Sequence, residues 1–200
     1  MTGWVGAIGA VVFIVVFLAD GWTRPGYSST RQPVSALVLG PRGWVQTGNF
    51  VVCGAAITFG GWGVLVPGRE FLLGSAVVVF GLGLVASGIF PMDPMRGYPP
   101  GTPDGDPADY TVRHTLHDHA GMVVFLALPV TAAISAFTLP GALERTVSAL
   151  VAAYLLFGFG AFGTAWENDS PKAGLVQRAI IVPGWLWLAA FFLEHTYRGM

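Results

Sequence analysis

Apolar runs of about twenty residues recur along the chain, broken by polar stretches rich in Pro and Gly. That run length matches the hydrocarbon thickness of a bilayer and exceeds what a buried soluble helix needs. The pattern predicts six spans: Trp4 to Ala19, Trp44 to Val66, Phe71 to Phe90, His114 to Leu139, Thr146 to Trp166 and Ala173 to Leu193. An even number of crossings puts both termini on one side. The fold expected is all-α, a single transmembrane domain over residues 1–200 built as a six-helix bundle. The first span lacks a basic leader and a small-residue cleavage site before Asp20, so it reads as a retained helix.

The connections are unequal. Between spans two and three stands PGRE, and between four and five PGALER, each suited to a tight helical hairpin. The first and third loops are long and carry Pro and Gly throughout, which blocks helix continuation, so they are expected to fold as lids over one end of the bundle. Many of the 28 glycines lie inside the spans, where small residues let helix backbones approach.

Composition sharpens this reading and removes some functions. The chain is 54% hydrophobic and 10% charged, with a net charge of -1, so no basic surface draws nucleic acid. Cys53 is the sole cysteine, which excludes an internal disulfide and any multi-cysteine metal site. Arg24, Arg31, Arg42, Arg96, Arg113, Lys172 and Arg178 lie in or beside the odd loops, against Arg69, Arg145 and Arg198 opposite, which predicts cytoplasmic odd loops.

Polar residues concentrate at the same end. Asp20, Arg24, Ser35, Asp93, His114, His117, Asp118, Trp166, Glu167 and Arg178 fall at or just inside the long-loop face. The other face has Arg69, Glu70, Glu144, Arg145, Glu194 and His195. Within HTLHDHAG, helical spacing projects His114, His117 and Asp118 together, with Gly121 a turn deeper and His119 pointing away. Ionisable groups in a span mark function by default, and an Asp beside a His can serve as a tuned acid or base. The bland alternatives are headgroup contacts for His114 and His119, solvation for Asp20 and Glu167 at helix ends, and snorkelling for Arg178. The sharper alternative for Arg178 is a salt bridge to Asp93, Asp118 or Glu167. Trp4, Trp44, Trp62 and Trp166 suit an interfacial belt, while Trp185 and Trp187 lie deep enough to wall a pocket.

In chain order, Tyr27-Ser-Ser-Thr-Arg-Gln-Pro33-Val-Ser35-Ala-Leu37, Gly48-Asn-Phe50 with Gly54, Gly88-Ile-Phe-Pro91-Met-Asp93-Pro94, His114-Thr-Leu-His117-Asp118 with Gly121, and Gly174-Leu-Val-Gln177-Arg178 with Trp187 form a distinctive series. The series resembles the six-helix prokaryotic membrane proteins of domain-of-unknown-function family 998. The resemblance implies a bundle in the inner (plasma) membrane with Ser35, Asp93, His117, Asp118 and Arg178 as a common site, and it implies no reaction.

Three functions suit these residues. The first is a membrane-embedded acid/base enzyme on a lipophilic small molecule, with a proton-initiated isoprenoid cyclase or isomerase as the best match. There Asp118, His117, Asp93, His114 and Glu167 are the catalytic candidates and Arg178, Ser35, Trp166, Trp185 and Tyr27 the substrate-binding ones. An acid at the pocket mouth, aromatic walls and exclusion of water are what that chemistry needs, and no cofactor is called for. The second is a metal-dependent lipid hydrolase using His114, His117 and a carboxylate such as Asp93. The third is a small transporter, sensor or scaffold whose polar end binds an ion or membrane lipid, or sets helix packing.

Overall fold

A computed structural model describes residues 1–66 and 70–198, with the side chain of the last of these excepted. Arg69 and the Arg198 side chain, counted above on the short-loop face, lie outside the described residues. The helices are α1 (Thr2–Thr23), α2 (Gly43–Leu65), α3 (Phe71–Ile89), α4 (Val112–Thr138), α5 (Ala142–Glu167) and α6 (Ala173–Arg198), with a short 3-10 helix at Val34–Val38 in the first loop. All six are long and apolar enough to cross a membrane, and there is no strand among the described residues. Helix ends overrun the expected spans, most clearly at α5, which begins at Ala142, and α6, which runs past Leu193. Hydropathy reads only the part of a helix in hydrocarbon, while the backbone ladder continues into polar residues beyond it.

Each helix packs on its neighbours in sequence, and α6 closes the ring against α1. The tightest approach joins α2 to α3: a Cβ at Gly54 would stand 2.8 Å from the Gly81 carbonyl oxygen. Without side chains at that crossing, dispersion contacts between backbones hold helices that gain nothing from hydrophobic burial in lipid. Phe13, Phe17, Phe80, Leu188 and Phe192 fill the ring, each almost wholly buried. Buried hydroxyls turn back on their own helices, Thr58 to the Gly54 carbonyl at 2.8 Å and Ser87 to that of Gly83 at 3.0 Å. This satisfies them where no water is available.

One helix is peripheral. In α5 only Ser148, Ala152 and Leu155 are buried, and nothing after Leu155 is. Its second half therefore leaves the long-loop end of the ring thinly covered.

Both long loops fold over that end, as their composition predicts. Met92, Met95 and Tyr98 pack with Ala36 into a small second core, and Tyr27 meets Tyr98 edge to face at 5.3 Å. Arg24 donates to the Leu37 carbonyl at 2.7 Å and the Leu39 carbonyl at 2.8 Å, and pairs with Asp20, which Arg42 contacts at 2.6 Å. The expectation that Asp20 is solvated is thus corrected, since it is 3% exposed. Its position at a helix end is covered by the loop that its own arginine partners organise.

Candidate functional site

The start of α4 is fixed by Thr111, whose hydroxyl accepts the His114 backbone N–H at 3.2 Å in the manner of a helix N-cap. Asp93 completes the junction. Its carboxylate accepts the Thr111 backbone N–H at 2.8 Å and the Thr111 hydroxyl at 2.7 Å, while its own N–H donates to His114 Nδ1 at 2.9 Å. Burial pushes the Asp93 carboxyl up, but the two Thr111 hydrogen bonds and the nearby His114 outweigh it and hold the group below the usual carboxylate range. Asp93 is therefore an anchor between the third loop and α4, with its oxygens occupied.

His114 is occupied as well. Because Nδ1 accepts from a backbone N–H, the neutral ring carries its hydrogen on Nε2, which stands 3.2 Å from Asp118 Oδ2. Tyr110 stacks on the ring at 4.5 Å. The Asp118 side chain is 63% exposed and faces away from the bundle interior. The expected common face of His114, His117 and Asp118 is split by simple geometry: at about 100° per residue, His117 and Asp118 lie on opposite flanks of His114, about 100° apart. His119 is exposed, on the outward side that helical spacing gives it.

His117 faces inward. Its Nδ1 lies 2.7 Å from the Phe90 carbonyl oxygen and 3.1 Å from that of Ser87, at the end of α3 where carbonyls lack helical partners. Two carbonyl oxygens can only receive a hydrogen, so Nδ1 is the protonated nitrogen and Nε2 keeps its lone pair. Nε2 makes no hydrogen bond among the described residues. The ring lines a cavity of about 60 Å³ walled by Phe13, Phe50, Leu84, Val124 and Trp185. Ser35 and Gln177 supply polar edges, and Gly121 and Phe125 lie at one side. Trp185 is locked in place, stacked on Phe13 at 5.5 Å and edge-on to Phe80 at 4.9 Å.

The ceiling of this chamber is the first loop, and α6 holds it there. Gln177 Oε1 accepts the Val34 backbone N–H at 2.7 Å. Arg178, 7% exposed, donates to the Gln32 carbonyl at 3.0 Å, to the Gly174 carbonyl at 2.9 Å, and to the Tyr27 hydroxyl. Neither alternative for Arg178 survives: it is buried beneath the first loop, and it pairs with none of Asp93, Asp118 and Glu167. Tyr27 in turn donates to the Pro33 carbonyl at 2.9 Å. Burial pushes the Tyr27 phenol up to about 12 against the opposing charge of Arg178, so it remains a donor at physiological pH.

Other candidates lie outside the chamber. Trp166 is covered by the Arg96 guanidinium at 4.0 Å on the outer rim, and Glu167 is exposed. Trp187 lines a separate groove of about 200 Å³ near Glu144 and Glu194 at the short-loop end, so it is no wall of the His117 chamber. Gln177, Ser87, Phe13 and Phe50 are among the chamber components that sequence reasoning passed over. Gln177 stands beside Arg178 in a quoted motif, and that adjacency was its only signal. Among the described residues no three metal-ligating side chains converge.

With this geometry in place, the chain belongs to the DUF998 family of proteins of unknown function, whose model matches residues 7–194. No curated protein and no solved structure matches it.

Proposed function

We propose that the protein takes a lipophilic molecule into the chamber and moves a proton on it with His117, an isomerase-type reaction of an isoprenoid-like substrate. One observation carries this reading: Nδ1 of His117 is tied to the Phe90 and Ser87 carbonyls, which leaves Nε2 as a base in an apolar cavity. Backbone carbonyls that fix the tautomer also fix the ring, as a general base requires. Between cyclase and isomerase, the imidazole favours the second. Protonating an isolated alkene calls for a strong acid, and the carboxyls nearest the chamber are engaged or turned away: Asp93 on Thr111, Asp118 outward beside His114. An imidazole, with an ordinary pKa of about 6.5, suits removal and return of a proton next to a carbonyl. In that step Nε2 takes a proton from the carbon between a carbonyl and an alkene. The electron pair of the broken C–H bond moves into a dienolate, and Nε2, once its hydrogen has exchanged with water, delivers one to the far carbon. The double bond shifts, and no oxidant or reductant is consumed.

The test uses purified protein in nanodiscs with a β,γ-unsaturated farnesyl ketone in D2O. Deuterium incorporation with a shifted double bond is expected for the native chain. It should fall on the order of 100-fold or more in His117→Asn, the usual worth of a positioned general base. Equal incorporation in both proteins would overturn the proposal. A second reading, a non-catalytic lipid receptor, is favoured by the single ionisable side chain in the lining and would give binding without exchange. We also place the long loops on the cytoplasmic side of a prokaryotic inner membrane, on the strength of Arg31, Arg42, Arg113 and Lys172. A phosphatase fused to the C-terminus should then be active outside the cytoplasm, and an inactive fusion would reverse the orientation.

A further inference from the structure

The chamber is roofed on the long-loop side and thinly covered on one flank. Above it, Val34, Ala36 and Leu37 are buried under the latch that Gln177 and Arg178 make with the first loop. Around it stand α1, α2, α3, α4 and α6; α4 and α6 meet where Leu128 lies against Gly184, and toward the long loops Gly121 and Gln177 stand on either side of the chamber. The helix that should cover this flank is α5, yet its buried residues stop at Leu155. Past Gly158, which meets Ile180, a Cβ at Gly160 or Gly163 would find nothing within 4 Å. Gly121 faces this gap from α4 and also lines the chamber, and a Cβ there would likewise find nothing within 4 Å. Just below, Phe125 forms a lip, stacked on Phe159 at 5.2 Å and beside Phe162 at 5.7 Å.

Size and charge narrow what passes through such a mouth. A cavity of about 60 Å³ has room for roughly four to six water-sized groups, enough for the head of a lipid and not for its chain. The remainder must trail out past Gly121 into the bilayer. Among the described residues no Asp, Glu, Lys or Arg lines the chamber; its polar edges are His117, Ser35, Ser87 and Gln177. A phosphate or carboxylate head would enter without a counter-charge, at the high cost of burying an unpaired ion. A hydroxyl or carbonyl head would need only hydrogen bonds.

Resting on the reading of His117 as the reacting group, we infer that Gly121 forms a lateral mouth through which a single-chain lipid with one uncharged oxygen head enters from the bilayer. Gly121 sets access because it is the position where any side chain would stand in the opening. A Cβ there meets no neighbour and any residue other than glycine or proline improves helix propensity, so a longer side chain should reach into the mouth without unsettling the fold.

The experiment is photolabelling of the full chain in phosphatidylcholine nanodiscs with a diazirine analogue of farnesol. Saturable labelling of α4 near Phe125 is expected, competed by farnesol and not by farnesyl phosphate at equal concentration. Gly121→Leu should lower labelling about tenfold or more, a loss of about 1.4 kcal/mol in binding, while keeping the thermal midpoint of the native chain. Gly121→Ala should lie between. Native-level labelling in Gly121→Leu, better competition by farnesyl phosphate, or no saturable labelling of the native chain would each overturn the lateral mouth. Labelling that behaves as expected with no exchange in the native chain would instead remove the catalytic reading and leave the mouth intact.

Discussion

His114 and His117 stand one turn apart on α4, are almost equally buried, and do opposite things. In His114 the Nδ1 accepts from the Asp93 backbone and Nε2 meets Asp118, so the ring is a fastener between the third loop and the helix. In His117 the Nδ1 donates to two carbonyls at the end of α3, and Nε2 is left for the chamber. The same side chain on the same helix is thus a structural pin in one place and, on the proposed reading, an available base in the other. What separates them is which nitrogen the surrounding backbone claims. Burial alone does not distinguish the two, and neither does proximity to a carboxylate, since the histidine with the acidic neighbour is the spent one.

The sharpest way to break this comparison is to exchange the losses. His117→Asn should abolish proton exchange, on the order of 100-fold or more, while leaving the folded yield near that of the native chain. His114→Ala should do the reverse. Exchange per folded molecule stays within a few-fold, while thermal unfolding in detergent shows a loss of about 1–3 kcal/mol from the Asp93 N–H left without an acceptor. If both variants lose the same property, the division of labour fails.

A smaller effect follows from Asp93. Its folded carboxyl titrates below the usual range, so its contribution to stability is present above about pH 4, the ordinary carboxylate value, and is lost as pH falls through the lower folded value. Acid unfolding of the native chain should therefore carry a component that Asp93→Asn lacks. Identical acid profiles would argue against the anchor. The smallest effect belongs to Asp118→Asn. An exposed partner of an imidazole is worth about 0–1 kcal/mol, so stability should barely move and exchange should stay within a few-fold. A large loss of exchange in this variant would return the acid role to Asp118.

Much of the architecture was legible because hydrocarbon thickness imposes a length on every span, and six apolar runs announce six crossings whatever packs against them. The lids were legible too, since Pro and Gly leave long loops few other conformations. The polar run HTLHDHAG pointed to the right helix. It could not say which histidine turns inward, because that phase is set by the end of α3 and by the third loop, which no spacing within α4 encodes. Arg178 was unreadable for a related reason: its partners are backbone carbonyls and a tyrosine of the first loop, and carbonyls leave no mark in a sequence. Asp20 appeared solvated for want of the same loop. Trp187 was within reach of sequence reasoning, since two residues along a helix turn a side chain by about 200°, away from the chamber that Trp185 walls.

The most direct measurement is nitrogen-15 NMR of the native chain with ring-labelled histidines, each assigned by its substitution. His117 should carry its hydrogen on Nδ1 and present a bare Nε2 whose resonance shifts when farnesol is added, and His114 should be the opposite tautomer and stay unmoved. Finding both rings in one tautomer, or His117 with its hydrogen on Nε2, would contradict the assignment of His117 as the interior base.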